Sequence, residues 1–209
     1  MSAEVLVARN PGKQQSVLAR ALGLAATGLL LAGSLLAVRD AYLRAKAALA
    51  AALIAKAWTQ TIRSGREARP WPWADAHPVA RLVIPALGYD ELVLSDASPR
   101  TLAFGPGHLS SSAAPGEAGN MVIAGHRTSW FEPLRGAAVG QTIRLEWTER
   151  RSHRLQSREY RIRALHIVAP SDVTYLASTD EDALTLVTCY PFGRGPRSPL
   201  RLMVRAVAL

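Results

Sequence analysis

Apolar and polar positions along the chain fall into three regimes. From Ala21 to Val38, "ALGLAATGLLLAGSLLAV", no charge interrupts the run between Arg20 and Arg39. As a helix rising about 1.5 Å per residue this stretch reaches roughly 27 Å, close to the ~30 Å of a bilayer's hydrocarbon core. Its glycines and Thr27 are ordinary in a spanning helix. "AGS" at 32–34 could serve as a signal-cleavage site, but the apolar run is longer than a secretory signal usually carries, so it reads as an uncleaved anchor. Residues 39–64 are rich in Ala and Leu, with no Gly or Pro before Gly65, which predicts a second helical stretch. Asp40 and Arg44 can pair along it. Leu49, Leu53 and Ala57 can share a side with Trp58, which fits either an alanine-rich stalk or a helix docked on a partner surface. "SGREARPWPW" at 64–73 ends any helix with Gly65, Pro70 and Pro72.

From about residue 77 the period changes. "VARLVIP", "ELVLS", "NMVIAG", "QTIRLEW", "EYRIRALHIV", "ALTLVTC" and "LRLMVRAVA" alternate or are β-branched, with Gly, Pro, Asp or Ser between them. The only helical candidate among them is "WFEPLRG". Seven or eight short strands predict a mainly β domain, an antiparallel barrel or sandwich, and a barrel leaves no unpaired edge. The expected organisation is a tail (1–20), a transmembrane anchor (21–38), a helical juxtamembrane segment (39–64), a linker (65–76) and a β domain (77–209).

Composition changes this picture little. The chain of 209 residues has a formal charge of +9, but its basic residues are dispersed and no basic run is interleaved with aromatics, so no nucleic-acid partner is expected. Basic residues flank the apolar run on both sides. A short N-terminal tail before a single span ordinarily stays in the cytoplasm, which would leave the β domain outside it. The single cysteine excludes an internal disulfide and an all-thiolate zinc site. No His, Cys or carboxylate pair shows metal-ligand spacing, so no cofactor is expected, although carboxylates dispersed over loops leave calcium open.

The one thiol has a conspicuous position. Cys189 ends the apolar strand "LTLVTC", where it is either a small buried hydrophobe or a nucleophile delivered to a strand end. A nucleophilic cysteine needs a proton-handling partner and a donor for the developing oxyanion. Of the five histidines, His166 falls within a strand, His153 in a charged turn, His77 in the linker, and His108 after "FGPG" in a turn. His126 follows an apolar strand and a glycine in "GNMVIAGHRTSW", and so would be delivered to a rim as Cys189 is. Arginine suits the third role because it stays charged and presents a fixed fork of donors. Arg201 opens the last strand; Arg194 and Arg197 lie in the loop before it, and Arg205 sits deeper along the strand.

"TLVTC" resembles the TLxTC signature of sortases, the membrane-anchored cysteine transpeptidases, and the order His, Cys, Arg is the family's order. "TLAFGPGHL", "GNMVIAGHR" and "TLVTCYPF" are similar to the proteobacterial branch called class GN. The resemblance covers roughly residues 77–209 and implies a closed sortase-type β-barrel of about eight strands with short helices. It implies His126, Cys189 and Arg201 as the catalytic residues, with Thr188 as the signature threonine that helps shape the substrate site. It further implies a secreted partner protein carrying a C-terminal LPxTG-like sorting signal, and a thioacyl enzyme resolved by an amine acceptor in the cell envelope. The expected location is the cytoplasmic (inner) membrane, crossed once, with the catalytic domain outside. A cysteine hydrolase using water as acceptor, or a membrane-tethered module that only binds, would fit the same residues.

Overall fold

A computed structural model describes residues 11–149, 152, 154–193, 195 and 198–209. The expected tail therefore lies partly outside the described residues, as do His153, Arg194 and Arg197. The chain divides into two compact units, with the boundary between Ala48 and Leu49.

Helix α1 runs from Pro11 to Ser64. Its apolar part, with Leu24, Leu29, Leu30, Leu31, Leu35 and Leu36 all exposed, is long and apolar enough to cross a membrane. No turn separates the apolar run from the alanine-rich stretch, because neither contains a proline and the Asp40–Arg44 pair (2.7 Å) supports the junction. Within the second unit the last turns of α1 bury Ala50, Ile54, Ala57, Trp58 and Thr61. These positions follow the spacing of a single helical face, so this stretch is packed rather than a free stalk. The expected face is met only in part: Ala57 and Trp58 are buried, but Leu49 is exposed and Ala50 is buried beside it. Gly65 closes the helix with a positive φ of 66° and donates its N–H to Thr61.

The remainder is a closed barrel of eight strands: β1 (Pro78–Ile84), β2 (Tyr89–Leu94), β3 (Gly107–His108), β4 (Asn120–Ala124), β5 (Thr142–Thr148), β6 (Leu155–Val168), β7 (Ala183–Tyr190) and β8 (Leu200–Ala208). Their order around the barrel is β1-β2-β3-β4-β7-β8-β6-β5. Alternation along each strand sends one set of side chains inward. Leu82, Ile84, Ile123, Ile143, Leu145, Ile162, Leu184, Leu186 and Val204 are all fully buried there.

Three details differ from the sequence expectation. The barrel is not wholly antiparallel: β2–β3 and β4–β7 are parallel pairs, and the long excursion through β5 and β6 supplies the crossover that parallel neighbours require. "WFEPLRG" forms only a 3-10 turn, Glu132–Gly136, with a proline at its start. His108 is not a turn residue: it lies in β3, paired with Ile123, and is buried. A two-residue strand has too few positions to show a period.

The buried His108 gives a pH prediction. Its Nε2–H donates to the Ala113 carbonyl at 2.9 Å, the acceptor fixing the tautomer. Burial pulls its pKa below the ordinary histidine value, outweighing the Ala113 bond and the Glu117 carboxylate. The folded state therefore resists protonation more than the unfolded chain does. Stability is full above pH ~6.5 and falls as pH drops from there through the lowered folded value. Thermal melts between pH 7.5 and 5.5 should show this decline, and His108→Gln, which keeps a donor but cannot titrate, should flatten it.

Candidate active site

Strands β4, β7 and β8 lie side by side in the barrel wall and carry the candidate residues at one common end. β4 and β7 run parallel in an unbroken register, Asn120 opposite Ala183 through Ala124 opposite Val187. Beyond the last pair, the Gly125 N–H donates to the Val187 carbonyl at 3.1 Å. In return the Thr188 hydroxyl donates to the Gly125 carbonyl at 2.7 Å. Gly125 is thus held from both sides, and His126 follows it directly in the chain, as Cys189 follows Thr188. On the other flank, Cys189 pairs directly with Arg201 in the antiparallel β7–β8 ladder. Such opposed residues carry Cβ atoms about 5 Å apart.

The face is as informative as the register. Leu184 and Leu186 point into the barrel, as do Leu202 and Val204, whereas Val187 and Met203 belong to a separate apolar cluster with Val122. By alternation Cys189 and Arg201 share the outer face with Val187 and Met203. The thiol therefore opens onto the outside of the wall at a strand end, not into the barrel's mouth. Cys189 is partly exposed, and His126 is exposed. That outer cluster is buried, with Leu109, Val168, Tyr175 and Leu176 packed against it.

Local packing explains why the His126 turn has a fixed shape. The His126 carbonyl accepts from the N–H groups of Ser129 (3.3 Å) and Phe131 (3.0 Å). Phe131 is completely buried and its ring meets Tyr89, with centroids 6.0 Å apart. A Cβ at Gly125 would come within 2.7 Å of the Phe131 ring, so only glycine permits this approach. The Trp130 indole N–H donates to the Leu102 carbonyl at 2.9 Å.

Thr188 is 2% exposed, and its hydroxyl is engaged with Gly125. Any part it has in shaping the site runs through that bond. Arg201 donates through Nη1 to the carbonyls of Ser198 (3.2 Å) and Leu200 (3.0 Å), which braces the guanidinium at the mouth of the last loop. Among the described residues its Nε and Nη2 have no hydrogen-bond partner within the chain. Arg205 sits further down β8 and donates to Thr185 at 3.1 Å, which bonds Asn120 at 2.8 Å. Burial lowers the pKa of Arg205 from the usual arginine value. Asn120 in turn donates to the carbonyls of Tyr175 and Ala177, pinning the β6–β7 loop to the wall. His166 lies exposed on β6 opposite Met203, and His77 contacts Glu67 at 3.3 Å; neither belongs to this strand end.

The comparison with known proteins rests on the same region. The sortase domain family model matches residues 82–209, more than half of the chain. The chain belongs to the sortase family. It is 28% identical over 129 residues to sortase D of Bacillus subtilis, an alignment covering 59% of this chain and 60% of that protein. Among solved structures, a sortase D5 transpeptidase of Clostridium perfringens superposes with a TM-score of 0.56 at 27% identity, covering 64% of this chain and 79% of the other. Sortase A from Corynebacterium diphtheriae gives 0.57 at 28% identity, with 66% and 63% covered. The closed eight-stranded barrel is therefore a sortase fold.

Neighbouring sequence revealed His126 and Cys189 as strand-end residues, but two contributors escaped it. Arg127 is buried and bonds to the carbonyls of Pro191 and Gly195. Ser198 donates to the Tyr190 carbonyl at 2.8 Å, closing the neck of the same loop. Both act on residues whose proximity only the β7–β8 ladder creates.

Proposed function

We propose that the protein is a membrane-anchored cysteine transpeptidase in which Cys189 is the nucleophile, His126 the proton carrier and Arg201 the oxyanion donor. The observation that carries this reading is the adjacency of β4, β7 and β8, with Cys189 paired to Arg201 in the ladder and its neighbour Thr188 bonded to Gly125, the residue before His126. The Cys189 thiolate attacks the scissile carbonyl carbon of a sorting motif, and the carbonyl oxygen takes the negative charge. The Nε–H and Nη2–H groups of Arg201 receive that oxyanion, a charge-assisted interaction worth most where water is excluded. As the C–N bond breaks, protonated His126 gives its proton to the leaving amine, and a thioester remains on Cys189. An incoming amine then loses a proton to His126 and attacks the thioester, forming a new amide and returning the thiolate.

The substrate in this reading is a secreted protein with a C-terminal LPxTG-like signal, and the acceptor is an amine of the cell envelope. The apolar part of α1 serves as a single span, with the short N-terminal side in the cytoplasm and the barrel beyond the membrane. The branch resemblance to class GN rests on "TLAFGPGHL", "GNMVIAGHR" and "TLVTCYPF".

The test is incubation of the full chain, in detergent micelles, with an LPxTG-like peptide and an amine-bearing second peptide. Mass spectrometry should detect an acyl adduct on Cys189 and a ligated product exceeding the hydrolysed one. Release of free acid alone would assign a hydrolase. No adduct with any of a panel of such peptides would remove the transpeptidase reading.

A further inference from the structure

We infer that Arg127 is a positioning residue: its guanidinium clamps the segment after Cys189 to the turn that begins at His126. Arg127 is 9% exposed. Nη1 donates to the Pro191 carbonyl and Nη2 to the Gly195 carbonyl. Among the described residues it forms no salt bridge. A buried guanidinium facing only neutral groups is costly unless its donors are met. Here two carbonyls take one N–H from each Nη through charge-assisted bonds.

The placement of those carbonyls gives the clamp its meaning. Pro191 is two residues past the thiol, Gly195 is midway along the loop to Arg201, and Arg127 itself adjoins His126. One guanidinium thus joins the turn that begins at His126 to the loop that connects the strands of Cys189 and Arg201. Ser198 closes the neck of the β7–β8 loop onto Tyr190, and Arg135 lies over the Phe192 ring at 5.3 Å. These contacts shape the loop and fasten it to the Glu132–Gly136 turn, but Arg127 ties it to the histidine's immediate neighbour. A lysine cannot substitute, because a single ammonium is a point charge without the divergent fork that reaches carbonyls four residues apart. Since misplacement by about 1 Å can cost about 100-fold in rate, loss of the clamp should lower kcat more than it raises KM. The kinetic part of this inference rests on the transpeptidase reading; the mechanical part does not.

The experiment compares the full-length wild type with Arg127→Gln and Arg127→Lys. Amide hydrogen exchange is read over residues 126–131 and 190–199, and peptide turnover is measured alongside. The expected result is at least about tenfold faster exchange in both segments for both variants, with β1 and β5 unchanged. kcat should fall about 10- to 100-fold with KM within about threefold, and lysine should not restore it. Wild-type exchange at the Ser129 and Phe131 amides, recovery of kcat by lysine, or a uniform rise across the barrel would each overturn the clamp. Faster exchange in the two segments together with an inactive wild type would keep the clamp and defeat the transpeptidase reading. An active wild type with an indistinguishable Arg127→Gln variant would do the reverse.

Discussion

Cys189→Ala should reduce peptide turnover to background, a loss on the order of 10⁴-fold or more, while leaving the melting temperature within about 2 °C. Removing a nucleophile eliminates the covalent intermediate, and members of a catalytic set act as a unit, so the remaining groups rescue little. The side chain is small and only partly buried, and no strand contact depends on its sulfur. The β7–β8 ladder is made by the backbone on either side of it. Cys189→Ser keeps the shape but offers a hydroxyl that is a far poorer nucleophile, and it should fail almost as completely. Residual turnover above one part in a hundred in the alanine variant, read by product mass against an enzyme-free control, would move the chemistry elsewhere.

Phe131→Ala is the variant expected to damage the fold most. The ring is completely buried in the barrel cluster, meets Tyr89, and lies over Gly125. Emptying such a site costs about 3–5 kcal/mol, which for a domain of this size lowers the melting temperature by about 10 °C. A second effect follows from position. The Phe131 N–H donates to the His126 carbonyl, so a turn that has lost its anchor also releases the imidazole. Activity at a temperature where the variant remains folded should therefore fall by more than the unfolded fraction explains. Phe131→Leu refills part of the volume and should recover most of the stability. A melting temperature unchanged by the alanine substitution would show that the ring does not support the turn.

Much of this architecture could be read from residue order, because the signals were local and repeated. Alternation in "QTIRLEW" maps onto β5, which has one buried face, and the near-continuous apolar run "ALTLVTC" maps onto β7, which is buried on both faces over most of its length. The apolar run of α1 was equally plain, since eighteen residues without a charge need no tertiary context. Signals shorter than a period were not readable. β3 has two residues, and the packed face of α1 takes Ala50 rather than Leu49, both of which are compatible with a helix. The candidate site was legible as three strand-end residues, but its face was not. That Cys189 looks outward becomes evident only when Leu184 and Leu186 are seen in the core and Val187 outside it. The Arg127 bonds reach across 64 and 68 residues, and no spacing rule joins an arginine to two backbone oxygens at that range.

The unbroken parallel pairing of β4 with β7 has an evolutionary corollary. The loops between the Glu132–Gly136 turn and Ala183 can lengthen or shorten without moving the strand ends at Gly125 and Thr188, provided β4 and β7 keep step with each other. A single inserted residue within β7 is another matter, since slippage by one place turns the following side chains over and would point the sulfur inward. Sequence variation is thereby channelled into those loops, while the few residues of two short ribbons stay locked in phase.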